Sequence, residues 1–227
     1  MQLFDNPLKL VIMDVDGVLL DLVRCLRKVF EATATGLDLD MEPLKQYLDK
    51  LDTDPTILSP DIVVDAERIW PRMDLEAAIR FAWKFQEQRR KIPFPPFDHS
   101  VGTLQKLRAL RVPMALCTMN DRPTLTHQLE AAGIKTEWFR AMSTWECGFC
   151  KPDPRVLDTI FSAVPVSRRH AVYIGDRFGD LETARGGHVR FMAVLSGGLS
   201  RQAFLDQGIL DSHILEHFGE FPERIRL

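Results

Sequence analysis

Apolar positions change their spacing twice along the chain. Leu8 to Met13 is apolar except for Lys9, a short run of the kind that forms a central parallel strand, and it ends at Asp14. From about Leu19 to Lys91 no second strand pattern follows. Apolar residues recur there at helical spacing, most clearly from Asp74 to Arg90, where Leu75, Ala78, Ile79, Ala82 and Phe85 share one stripe and Asp74 can cap the helix. Pro43, Pro55, Pro60 and Pro71 cut this region into several short helices. Ile92 to Phe97 carries three prolines and reads as a return linker.

Beyond the linker, strands and helices alternate. The pattern predicts a helix from about His99 to Leu110, a strand over Val112 to Cys117, and a helix from Pro123 to Ala132 stopped by Gly133. A strand near Phe139 to Met142, a helix over Pro154 to Ala163, a strand over Ala171 to Ile174, a helix over Gly179 to Arg185 and a strand over Phe191 to Leu195 complete it. Such alternation predicts an α/β fold, a doubly wound parallel sheet with right-handed crossovers. The expected division is a core domain of residues 1–19 and 96–227 and an inserted helical domain of residues 20–95.

Composition narrows the partners. The formal charge of −3 provides no basic field, which argues against nucleic acid as the main partner. No apolar run approaches the roughly 18 residues of a membrane span, and the N-terminus lacks the pattern of a secretion signal, so the expected location is the cytoplasm. Cys25, Cys117, Cys147 and Cys150 are few and irregularly spaced, so reduced thiols are expected, with Cys147 and Cys150 as loop residues. The six histidines show no ligand spacing. Trp70, Phe81, Trp83 and Phe85 read first as core of the insertion. Arg24, Arg27 and Lys28 are compatible with either an acidic substrate tail or a solvated face. Gly197-Gly198 reads as a turn.

Chemistry gathers at the strand ends. The first predicted strand ends in Asp14-Val15-Asp16-Gly17, the second at Thr118, and the strand over Ala171 to Ile174 in Gly175-Asp176-Arg177-Phe178-Gly179-Asp180. In a parallel sheet these ends share one edge, where open α/β sheets bind ligands. Lys151 is expected to open the next helix and bring a cation and free N–H groups to the same edge. Two carboxylates about 4 Å apart repel by roughly 4 kcal/mol at an effective dielectric near 20. Four of them, Asp14, Asp16, Asp176 and Asp180, therefore imply a divalent cation, and an all-oxygen set suits Mg²⁺. Metal, lysine and hydroxyl can share the oxygens of a transferring phosphoryl group while a carboxylate attacks in line.

Four stations in this order resemble the haloacid dehalogenase superfamily: Asp14-Val15-Asp16-Gly17, then Thr118, then Lys151-Pro152, then Gly175-Asp176 with Asp180. The helical insertion resembles the α-helical cap of its phosphoglycolate phosphatase and β-phosphoglucomutase branch. The resemblance implies Asp14 as the nucleophile and Asp16 as acid and base, with Thr118 and Lys151 contacting the phosphoryl group. It also implies Mg²⁺ held by Asp14, the Asp16 carbonyl and Asp176, with Asp180 in support. Val18 stands where many relatives carry Thr, Cys150 where Gly is common, and Asn120 one place beyond the Asn that often follows the hydroxyl residue. The expected activity is hydrolysis of a small phosphorylated metabolite, phosphoglycolate leading, through an aspartyl-phosphate under a closing cap. A sugar phosphomutase and a non-catalytic phosphate-binding module are the alternatives.

Overall fold

The structure is a computed structural model describing residues 1–54, 57–59 and 61–226. The chain divides into two compact units, Met1–Asp21 with Pro95–Leu227, and Leu22–Phe94. Strands β1 (Gln2–Leu3) and β2 (Asn6–Pro7) form a short hairpin. Strand β3 (Leu10–Met13) follows and is wholly buried.

The second unit holds α1 (Leu22–Gly36), α2 (Met41–Thr53), α3 (Ile62–Ile69) and α4 (Leu75–Lys91). Asp40, Asp61 and Asp74 cap three of them through side-chain oxygens, so polar residues mark the starts that the apolar pattern leaves vague. Pro55 and Pro60 lie outside the described residues. The buried face of α4 differs from the expected stripe. Ala78, Phe81 and Phe85 face inward, while Leu75 and Ile79 are 61% and 42% exposed. Aromatic packing selects this face: Phe85 meets Phe30 edge-on at 4.9 Å and Phe81 meets Trp70 at 5.2 Å between ring centres. Trp83, grouped with them by sequence, is exposed.

The first unit resumes with α5 (Ser100–Ala109), β4 (Met114–Cys117), α6 (Arg122–Ala131), β5 (Ala141–Ser143), α7 (Asp158–Ala163), β6 (Ala171–Gly175), α8 (Phe178–Gly186) and β7 (Arg190–Val194). It ends with α9 (Arg201–Asp206), β8 (Ile214–Leu215) and β9 (Ile225–Arg226), the last pairing with β1. The main sheet has six parallel strands in the order β5-β4-β3-β6-β7-β8. Strands β3, β4 and β6 are buried along their whole length, as strands covered on both faces must be. Leu10, Ile12, Tyr173, Leu157, Ile160 and Phe204 belong to one core that packs helices onto the sheet. The chain builds outward from β3 to β5, then returns beside β3 as β6. This reversal places a crevice at the carboxyl ends of β3, β4 and β6.

Candidate active site

Asp14 leaves β3 at this crevice, its N–H held by the carbonyl of Ile174 on β6 at 3.0 Å. The next residues close a tight turn, with Gly17 N donating to Leu20 O at 2.8 Å and Leu19 N to Val15 O at 2.8 Å. Gly17 has φ of +83°, which its lack of a Cβ permits, and a side chain there would strike the Asp176 carboxylate at 2.3 Å. From β4 come Thr118 and Asn120, both buried. Thr118 N donates to Ser143 O at 3.0 Å, and its hydroxyl oxygen accepts from Asn120 N at 3.2 Å. Asp176 and Asp180 follow β6, the latter in the first turn of α8, and both are buried.

Lys151 is the central cation. Its Nζ bridges Asp14 Oδ1 at 2.8 Å and Asp180 Oδ1 at 2.6 Å. It does not open a helix as its sequence position suggested. It sits in a turn, its N–H donating to Met119 Sδ at 3.3 Å, and a 3₁₀ turn over Pro154–Leu157 precedes α7. Proline removes the N–H donor an α-turn would use, and Asp153 caps the short turn instead. Lysine's ammonium, rather than a helix end, supplies the positive charge here.

Asp180 is held on all sides. Tyr173 donates its hydroxyl to Oδ1 at 2.9 Å and Arg177 N donates to Oδ2 at 3.2 Å. A Cβ on Gly175 would lie 2.4 Å from the Asp180 Cβ, so the Gly175 main chain leaves room for the Asp180 side chain only as glycine. Tyr173 is a supporting residue that the sequence conceals, because a tyrosine in an apolar strand reads as core.

Asp176 is differently placed. Its Oδ2 lies 3.3 Å from Arg177 Nε, while its buried Oδ1 has no hydrogen-bond partner among the described residues. Gly197 presses on it so closely that a Cβ there would be 1.7 Å from Oδ2. The expected turn at Gly197-Gly198 is present, with Gly198 at φ +99°, but Gly197 also serves close approach to the site. Ser196 continues the cradle by donating its hydroxyl to Gly17 O at 2.6 Å.

One carboxylate oxygen from each of Asp14, Asp176 and Asp180 lies within 4.8 Å of the others. Burial pushes Asp14 up to about 7, Lys151 opposing and Asp180 and Asp16 adding to the rise. Burial, with Asp180 and Asp14 nearby, also raises Asp176 well above the ordinary carboxylate range. Burial works against the Lys151 charge, but Asp14 and Asp180 outweigh it and hold the ammonium protonated. With all three carboxylates ionised, the negative charge would exceed what Lys151 and Arg177 neutralise, and a further cation would favour that state. A hard divalent cation fits this all-oxygen set, with the unpartnered Asp176 oxygen open to it. The Asp16 carboxylate lies outside the cluster, its Oδ2 accepting from Asn120 Nδ2 at 3.1 Å.

Cys117, Cys147 and Cys150 carry free thiols, Cys150 exposed and Cys147 donating to Phe149 O at 3.3 Å. His99 and His217 stack at 4.4 Å, a packing role. No helix among the described residues is long and apolar enough to cross a membrane.

A family model of haloacid dehalogenase-like hydrolases matches residues 11–194. No curated protein sequence matches. Solved structures share the fold at low identity. A protein described as a phosphatase from Clostridium difficile aligns with TM-score 0.79 at 15% identity, over 96% of this chain and 99% of that one. A protein described as a β-phosphoglucomutase from Thermotoga maritima gives 0.70 at 18%, over 95% and 97%. CbbY from Rhodobacter sphaeroides, solved with phosphate, gives 0.65 at 16%, over 94% and 96%.

Proposed function

The chain belongs to the haloacid dehalogenase-like hydrolases, and on that premise we propose that it is a Mg²⁺-dependent phosphatase of small phosphate monoesters, phosphoglycolate leading. One observation carries the reading: Asp14 at the crevice is paired with Lys151 beside Asp176, whose Oδ1 awaits a partner. That arrangement sets the Lys151 charge, which favours the ionised nucleophile against burial, next to a site for a second cation.

Asp14 and Asp176 would hold Mg²⁺ through side chains and Asp16 through its main-chain carbonyl, with Asp180 fixing Lys151 behind them. When bound, the metal would offset charge on the carboxylates and on the phosphoryl oxygens. Asp14 attacks phosphorus to form an aspartyl-phosphate. Lys151 stays between Asp14 and Asp180, so its charge lies beside the reacting oxygen throughout. Thr118 is oriented for its task, because its hydroxyl oxygen already accepts from Asn120 N and its own hydrogen is left to donate to a phosphoryl oxygen. Asp16 gives a proton to the leaving oxygen, then takes one from the water that hydrolyses the intermediate.

Substituting Asp14→Asn and measuring phosphate release with Mg²⁺ from a panel of two- and three-carbon acid, sugar and nucleotide esters tests this reading. Loss of turnover on every ester the wild type accepts is expected; undiminished turnover would refute the covalent route. A bisphosphate product in place of free phosphate would assign a phosphomutase instead.

A further inference from the structure

Asn120 is a buried polar residue beside Asp16 whose side chain the roles above leave unused. Its amide meets Asp16 Oδ2 at 3.1 Å. The nitrogen must face the carboxylate, since an ionised carboxylate only accepts hydrogen bonds. The main chain around Asn120 is pinned at several points. Its N–H is bound by Thr118 Oγ1 at 3.2 Å, its carbonyl accepts from Trp145 N at 3.1 Å, and Asp121 next to it caps α6 by accepting from Thr124 N at 2.7 Å. Asn120 is 4% exposed and Asp16 is half-buried, so the contact is part-buried. Val18, in the turn after Asp16, is buried and has no hydroxyl to offer the same carboxylate.

We propose that Asn120 is a positioning residue for Asp16, holding its rotamer and directing the transferable proton to Oδ1. The inference rests on the phosphatase reading above. A carbonyl oxygen accepts an amide N–H better than a carboxyl hydroxyl does, so the contact at Oδ2 favours the hydrogen of the protonated carboxyl on Oδ1. In the first half-reaction an Asp14 oxygen bonds to phosphorus and the bond from phosphorus to the leaving oxygen breaks, its electron pair staying on that oxygen. The Asp16 Oδ1 proton passes to the leaving oxygen, and Asp16 becomes a carboxylate. In the second, water gives a proton to Asp16 and its oxygen bonds to phosphorus. The bond from phosphorus to Asp14 then breaks and returns a free carboxylate.

A mispositioned acid matters in proportion to the basicity of the leaving oxygen. An alkoxide needs the proton as it leaves, whereas nitrophenolate leaves without it. The experiment therefore compares kcat/KM for a simple alkyl phosphate and for p-nitrophenyl phosphate, both with Mg²⁺, in the wild type and in Asn120→Ala. The alkyl ester is expected to lose about 10- to 100-fold and the aryl ester less than about 3-fold, the range set by a displaced general acid. Equal loss on both esters would show that Asn120 merely supports the loop and would overturn the proposal, as would no loss on the alkyl ester. Should Asn120→Ala fail to fold, Asn120→Ser keeps a small polar group there but cannot span to Asp16, and it is read the same way. A wild type that turns over neither ester would remove the phosphatase reading itself, and this role with it.

Discussion

Replacing Gly197 by Ala tests how tightly the main chain grips Asp176. The added Cβ would lie 1.7 Å from Asp176 Oδ2 and 2.4 Å from its Cγ, where ordinary contact begins at 3.4 Å. Either the carboxylate or the loop must move by more than an ångström. The carboxylate has little room, since Gly17 closes its other side and Arg177 Nε lies 3.3 Å from Oδ2. Overpacking of this kind costs about 1–3 kcal/mol of stability. A reacting group misplaced by about 1 Å loses on the order of 100-fold in rate. The assay is a Mg²⁺ titration read by phosphate release and by thermal melting. In the wild type, Mg²⁺ at 100 times its Kd should stabilise the protein by about 2.7 kcal/mol. In Gly197→Ala that shift should shrink and the Mg²⁺ needed for half-maximal rate should rise at least about tenfold, the factor that corresponds to about 1.4 kcal/mol of binding. Gly102→Ala in α5 is the control, because nothing lies within 4 Å of its Cβ. Wild-type Mg²⁺ dependence in Gly197→Ala would refute the argument that Asp176 is held for a metal.

Two further outcomes follow from buried charge. Lys151→Met leaves Asp14 and Asp180 without the cation 2.8 and 2.6 Å away; a loss of about 3–5 kcal/mol in urea unfolding is expected, with turnover abolished, and a fully stable variant would show that these carboxylates are not ionised together. Burial raises Asp65 to about 6 from 3.8, against the opposing hydrogen bonds from Tyr47 and Ser59. A carboxyl raised in the fold stabilises the neutral form, so its contribution is present below pH 3.8 and is lost as pH rises through about 6. The full swing is about 3 kcal/mol at most, from 1.36 kcal/mol per unit. Asp65→Asn should flatten this part of the pH profile of urea unfolding between pH 4 and 8, and an unchanged profile would count against it.

The legible part of this molecule is the part written in local pattern. The run to Met13 announces β3, and the carboxylates at its end and after β6 need only the rule that parallel strands share a carboxyl edge. Strand β8 is two residues long and has no period to detect. The face of α4 is not legible from spacing, because Leu75 and Ile79 fit a helical stripe as well as Phe81 does, and only the aromatic partners Phe30 and Trp70 choose between them. Gly197, Asn120 and Tyr173 act across the fold, at 21, 104 and 7 residues from Asp176, Asp16 and Asp180. Gly197 reads as a turn, Tyr173 as one residue of an apolar strand, and Asn120 stands one place off the usual motif position, so their part in the site appears only once β3, β4 and β6 lie together.

The central claim is that phosphate passes through Asp14. Reducing the protein with borohydride during turnover of a phosphate monoester, then mapping its peptides by mass spectrometry, tests this directly, since an acyl phosphate is reduced and a free carboxylate is not. The account predicts homoserine at position 14, dependent on substrate and absent from Asp14→Asn. Steady turnover with position 14 unmodified, or reduction at another carboxylate, would contradict it.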